Sequence, residues 1–363
     1  MLRSLNRPDI LVVTLAAAGI LMVTMGARQS LGLFIAPIET STGLGIATIS
    51  LALAIGQFTW GAIQPVAGAV ADRYGPRTVL IGGLVILALG CAITPFMGTG
   101  FGLIVSLGLL SAMGSGAGSF SVLIGAAAQR LPIEARGSAS DVINAGGSFG
   151  QFVFAPILQK LIQSIGWMGA MWAMALMTLA ALPLVGKLTR PVEGEVKHTH
   201  EEGGLGKAIR TAMKDPSYLL LHAGFFTCGF HIAFLVTHLP GEVNLCGLPP
   251  AVASWSLAII GLANIFGSLY AGSCVAKYRS KYVLAAMYGS RASYPLFDGT
   301  THRADLLYFC RRTRFHLAGY RATNRRHRRQ AVRHPLPGYL IRADPAHSPD
   351  RWFPRRLSWW AGH

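Results

Sequence analysis

Charge is what this chain has least of. Only 13% of its 363 residues are Asp, Glu, Lys or Arg, and only 15 are acidic. Soluble domains carry about a quarter charged residues, so the shortage excludes an ordinary water-soluble fold. Cysteine is also scarce: Cys91, Cys228, Cys246, Cys274 and Cys310, with no C-x-x-C pair. Isolated cysteines in mostly apolar runs read as packing residues, neither a disulfide framework nor a metal site. No nucleophile–base pair, nucleotide loop or strong metal spacing is found, so the chain reads as a non-enzyme without cofactor or metal. Gly114, Gly116 and Gly118 in "GSGAGSF" do not make a phosphate loop, because no strand precedes them. They read as close helix packing.

What is abundant is apolar. Hydrophobic residues make up 52% of the chain, with 43 Gly and a mean hydropathy of +0.45. That composition points to an all-α integral membrane protein. Segments of about 20 apolar residues, long enough to span a bilayer, recur near 10–36, 46–70, 78–97, 101–128, 137–164 and 168–188. A polar stretch follows, then segments at 217–239 and 250–275 and the start of another at 282–295. The first segment is too long for a cleaved signal peptide. The predicted organisation is a six-helix bundle over 1–188, a linker at 189–216, a partial second bundle of two to three helices at 217–295, and a basic tail at 296–363.

Loop charge sets the expected orientation. Arg3 and Arg7, Arg73 and Arg77, Arg130 and Arg136, the Lys/Arg of 187–214, and Lys277, Arg279 and Lys281 fall on alternate connections. The intervening loops, 38–45, 98–100, 165–167 and 240–249, hold no Lys or Arg. Positive loops stay inside. The expectation is a multi-pass protein of the cell (inner) membrane, in contact with the lipid bilayer, with a cytoplasmic N-terminus and linker.

The sequence echoes itself. "GAVADRYGPR" (68–77) follows segment two and "GSCVAKYRSK" (272–281) follows segment eight. The second copy keeps Tyr278, Lys277 for Arg73 and Lys281 for Arg77, but has Ala276 for Asp72 and Arg279 for Gly75. Duplicated six-helix halves are one way transporters place a substrate site between two rocking bundles. Gly68, Asp72, Arg73, Gly75 and Arg77 fit the pattern G-x-x-x-D-R-x-G-x-R, which resembles the loop carried by the major facilitator superfamily at this place. "RGSASDVINAGGSFGQFVFAP" (136–156) resembles the fifth helix of that family's monocarboxylate and oxalate/formate branch. The resemblance covers roughly 1–292. It implies alternating-access transport of a small solute, an organic anion, coupled to a proton or a counter-solute. It also implies that the motif loop is a gating latch, with Asp72 pairing across to the other half.

Several polar side chains sit inside apolar segments. Arg28 lies about 18 residues, or about 27 Å, into the first. An intramembrane guanidinium faces a cavity or a partner, and its fork matches a carboxylate. Substrate contact and snorkelling to the outer interface are both open readings. Gln29, Gln57, Gln64, Asn144 and Gln151 either line a central cavity or bond between helices. Asp141 reads as an interface partner of Arg136. His222, His231 and His238 lie on segment seven. His231 is the deepest and a candidate for proton coupling, against the blander reading of a bonded core histidine. His198, His200, Glu201 and Glu202 read as solvated linker.

The stretch 296–363 holds 14 Arg and no Lys, against 4 Asp. A nucleic-acid or anionic-lipid arm, a disordered tail and a shifted reading frame all compete for it. Binding arms mix Lys with Arg and avoid large apolar residues, whereas this stretch contains "LLYF", "RWF" and "LSWW". Arg-rich, Lys-free text is what GC-rich codons give out of frame. The expectation is therefore a frameshift near residue 292, a transporter truncated in its second half and inactive, and no nucleic-acid partner. On that reading His231 and Asn264 should be left unpaired on exposed flanks.

Overall fold

The computed structural model describes residues 7–189, 213–278 and 282–286. Its elements are helices, with no strand among the described residues. Span one begins with Pro8 in its first turn, where a missing N–H costs nothing, and runs Pro8–Gln29. A 3-10 turn, Leu31–Phe34, leads into Ile35–Thr42, which ends on Gly43 at φ 68°. Span two is Ile46–Tyr74, and span three is Pro76–Ile93 with a final 3-10 turn, Thr94–Phe96. Span four comes in pieces: Gly100–Leu103, a π-helical stretch Ile104–Ser111, Ala112–Ala117 and Phe120–Arg130.

Residues 133–188 form 56 residues of almost continuous helix. At 1.5 Å per residue that is about 84 Å, against a hydrocarbon core of about 30 Å. One crossing cannot hold it. Gly166, at φ 74° and ψ 168°, supplies the reversal in a backbone region open to glycine. It divides the run into span five, from Ile133, and span six, which closes with Leu182–Leu188. Span seven is Pro216–Leu245 and span eight Pro250–Lys277. Residues 282–286 are helical again, and Val283 and Leu284 pack with Ile232 on Cys228 of span seven.

Span one is the axis of the bundle, with 72% of its apolar window buried. Small residues let neighbours approach it. A Cβ on Gly150 of span five would stand 2.1 Å from Met22 O, and one on Gly146 2.5 Å from Ala18 O. The "GSGAGSF" glycines of span four each meet a different helix. Added Cβ atoms would lie 2.3 Å from Leu87 N of span three at Gly114, 3.0 Å from Trp60 O of span two at Gly116, and 2.7 Å from Thr24 of span one at Gly118. The helix breaks at Gly118, and Thr24 Oγ1 donates to its carbonyl at 3.0 Å.

Spans seven and eight seat on this bundle. Gly261 faces Ser148 O and Phe152 N, 2.7 and 2.8 Å from a would-be Cβ. Asn264 Nδ2 donates to Ser148 Oγ at 2.6 Å. This corrects the expectation of an unpaired Asn264: it is buried and bonded, because Gly261 one turn earlier brings the two backbones together. Span seven meets span one at Gly32, where a Cβ would stand 2.2 Å from Val236 O.

Candidate functional site

Arg28 lies in the last turn of the Pro8–Gln29 helix. The helix axis continues through the 3-10 turn to Thr42, giving a unit of 35 residues. Arg28 stands about 30 Å from Pro8 and about 21 Å from Thr42 along the axis. That is the depth expected from the sequence, about 27 Å into the first apolar segment. In the structure Ser30 Oγ donates to Gly26 O at 2.8 Å, and the chain carries on.

Span two supplies the immediate surroundings of Arg28. Its Nη2 donates to Gln57 Oε1. Its guanidinium carbon lies 3.9 Å from the centre of the Trp60 ring. Gln57 and Trp60 are three residues apart, hence on one helix face, and the ring face attracts the cation. Beyond them lies a cavity of about 30 Å³, bounded by Arg28 and Gly32 of span one, Gln57 of span two, Ser111 and Ser115 of span four, and Thr237 of span seven. Leu87, Leu107, Met174 and Val236 complete it. The site therefore has one cation, a few hydroxyls and otherwise apolar walls. It lies where the six-span bundle meets span seven.

The other predicted residues lie elsewhere. Gln29 is buried, with Oε1 unpartnered, but does not line this cavity. Asn144 and Gln151 are buried on span five, and Gln151 packs against Gly261 of span eight. Gln64 bonds between helices, accepting from Ser121 Oγ at 3.5 Å. His231 is exposed and lines neither cavity. Its Nδ1 meets Thr227 O of its own helix at 3.0 Å, and His222 meets Tyr218 O likewise at 2.9 Å. Sequence reading missed Trp60, since an aromatic in an apolar span carries no signal. Its spacing of three from Gln57 was the available clue.

At the motif loop, Gly68 is buried while Asp72, Arg73 and Arg77 are exposed. Gly75 turns the chain at φ 86°, followed directly by Pro76 at the first position of span three. The Arg73 guanidinium lies 5.4 Å from the Tyr74 ring centre. On the same basic side, Arg130 Nη1 donates to Lys187 O and Leu188 O at 2.9 and 3.0 Å, capping the end of span six. A second cavity, about 470 Å³, opens on the opposite side between Thr40, Gln159, Gly166, Trp167, Asn244 and Ala253. No cluster of three metal-binding side chains occurs among the described residues. The linker residues His198, His200, Glu201 and Glu202, and the stretch 296–363, lie outside the described residues.

Known proteins share this plan. The chain is 27% identical over 215 residues to the fujikurins efflux protein of Gibberella fujikuroi, covering 58% of this chain and 44% of that one. It is 27% identical over 262 residues to monocarboxylate transporter 13 of Bos taurus, covering 69% and 58%. To the oxalate:formate antiporter of Oxalobacter formigenes it is 25% identical over 245 residues, covering 66% and 57%. The matches thus span about half the length of these relatives. Among solved structures, a bacterial homologue of the human lysosomal transporter Spinster, in an inward-facing and occupied conformation, superposes with a TM-score of 0.65 at 15% identity. That match covers 88% of this chain and 74% of the other, and shows the fold. The sequence profile described as Major Facilitator Superfamily matches residues 17–296, and the chain, an all-α multi-pass membrane protein, belongs to that family.

Proposed function

We propose that this chain is built as a secondary active carrier of a small organic anion, monocarboxylate-like, working by alternating access. The observation that carries the reading is Arg28, a guanidinium set beside a small apolar-walled cavity where the six-span bundle meets span seven. A planar fork in such a place suits a carboxylate, and the hydroxyls of Ser111 and Ser115 add polar atoms to the wall. The names of the monocarboxylate and oxalate:formate relatives support the same class. By the positive-inside rule the N-terminus and motif loop are cytoplasmic, in the inner membrane, and Asp72 serves the latch. His231, bonded to its own helix, lends proton coupling no support.

The stretch 296–363 is best read as out-of-frame, which leaves this chain without flux. The alternative, a tethered tail binding nucleic acid or lipid, rests on the same undescribed residues. The DNA across codons 285–300 tests the frame. Uptake of labelled lactate into vesicles tests the carrier, using the gene with its frame restored. Arg28→Lys should lower uptake about tenfold, because a point charge lacks the fork. Unchanged uptake in Arg28→Ala removes Arg28 from the site. Saturable uptake by the purified 363-residue chain alone overturns the inactive reading.

A further inference from the structure

We infer that Gln57 is a place-holder for the substrate carboxylate: its side-chain amide occupies the guanidinium edge of Arg28 in the empty site, and an anion must displace it. The inference rests on the reading of Arg28 as the anion contact. It assigns Gln57 the role of competitor, where a simple ligand role would have it help bind the solute.

Three observations lead there. First, the amide has the shape of a carboxylate, with one acceptor oxygen and no charge. It holds Arg28 by a bond from Nη2 to Oε1. Second, the Trp60 ring, 3.9 Å from the guanidinium carbon, covers one face of the cation. Trp60 is itself held where Gly116 lets span four approach its backbone. The plane of the fork is thereby fixed, and with it the edge that Gln57 meets. Third, the cavity beside them is about 30 Å³. That is room for about two waters and too little for a carboxylate with a carbon skeleton. Both the room and the bonding edge become available together when the Gln57 side chain swings out.

A neutral amide is well suited to this. A hydrogen bond from a guanidinium to a carboxylate is roughly twice as strong as a neutral one. A carboxylate therefore outcompetes the amide, and an uncharged solute of the same shape does not. Gln57 thus makes the site selective for charge.

The test is lactate binding to the purified full-length chain in detergent, by calorimetry, with sodium chloride of equal ionic strength as the blank. Gln57→Ala and Gln57→Ser should each bind lactate about tenfold more tightly, since one charge-assisted bond need no longer be broken. Gln57→Glu puts a permanent carboxylate on the fork. It should keep the wild-type melting temperature or raise it, and lose lactate binding. Weaker binding in both small variants, with wild-type binding present and abolished by Arg28→Ala, overturns the place-holder and leaves the Arg28 reading standing. Undiminished lactate binding in Gln57→Glu also overturns it. No lactate binding in the wild type, Gln57→Ala or Gln57→Ser overturns both.

Discussion

The six-span bundle and span seven differ in how their polar side chains find partners. In the bundle some polar side chains reach across helices, Arg28 to Gln57, Thr24 to Gly118 O and Ser121 to Gln64, while others, such as Thr14, Ser30 and Thr178, bond the carbonyl four residues earlier. On span seven they turn back on their own backbone, as Thr227 does to Ala223 O, and His222 and His231 to Tyr218 O and Thr227 O. The buried share of the apolar window is 18% in span seven and 72% in span one. An interhelical link needs a suitable neighbour within reach, whereas the carbonyl four residues earlier is the acceptor any helix provides. Polarity within a span therefore does not by itself mark a site.

Matched substitutions sharpen this contrast. The largest effect belongs to a glycine pair. Gly150→Leu forces a side chain into Met22 O and should cost about 3 kcal/mol or prevent folding. Gly229→Leu on span seven, where nothing lies within 4 Å, should leave unfolding in mixed SDS–detergent micelles unchanged. Next comes the link between the bundle and span eight. Ser148→Ala leaves the buried Asn264 amide without its acceptor and should cost about 2 kcal/mol. A double-mutant cycle with Asn264→Leu should return most of that as coupling. Smaller still is the threonine pair: Thr24→Val should cost about 1 kcal/mol by orphaning Gly118 O, and Thr227→Val close to nothing. Last, His231→Phe should leave both stability and the pH profile of lactate binding as they are. A pH profile that moves in His231→Phe would restore the histidine to the coupling path.

Much of the fold was legible because the bilayer imposes length. Every described span lies over an apolar segment predicted from composition, and the motif at Gly68–Arg77 announced the family before any coordinates. The break at Gly166 fell within the predicted loop 165–167, where glycine gives the chain its turn. The site was only half legible. Arg28 and Gln57 stand out as polar residues in apolar runs, but so do Gln29, Gln64, Asn144 and Gln151, which point elsewhere. Periodicity assigns a residue to a helix, and cannot say which neighbouring helix its side chain meets.

The sequence by itself determined that this chain crosses a membrane, where its crossings fall, which loops are basic, and to which family the motif belongs. These follow from hydrocarbon thickness, loop charge and a glycine-dependent turn, all local properties. Only the tertiary structure decided that Trp60 covers Arg28, that Gln57 holds its edge, that Asn264 is satisfied by Ser148, and that His231 answers to its own helix. Each of these depends on which helix stands next to which, and that is set by the fit of glycines such as Gly116, Gly150 and Gly261 against neighbouring backbones, a property of the packed bundle as a whole.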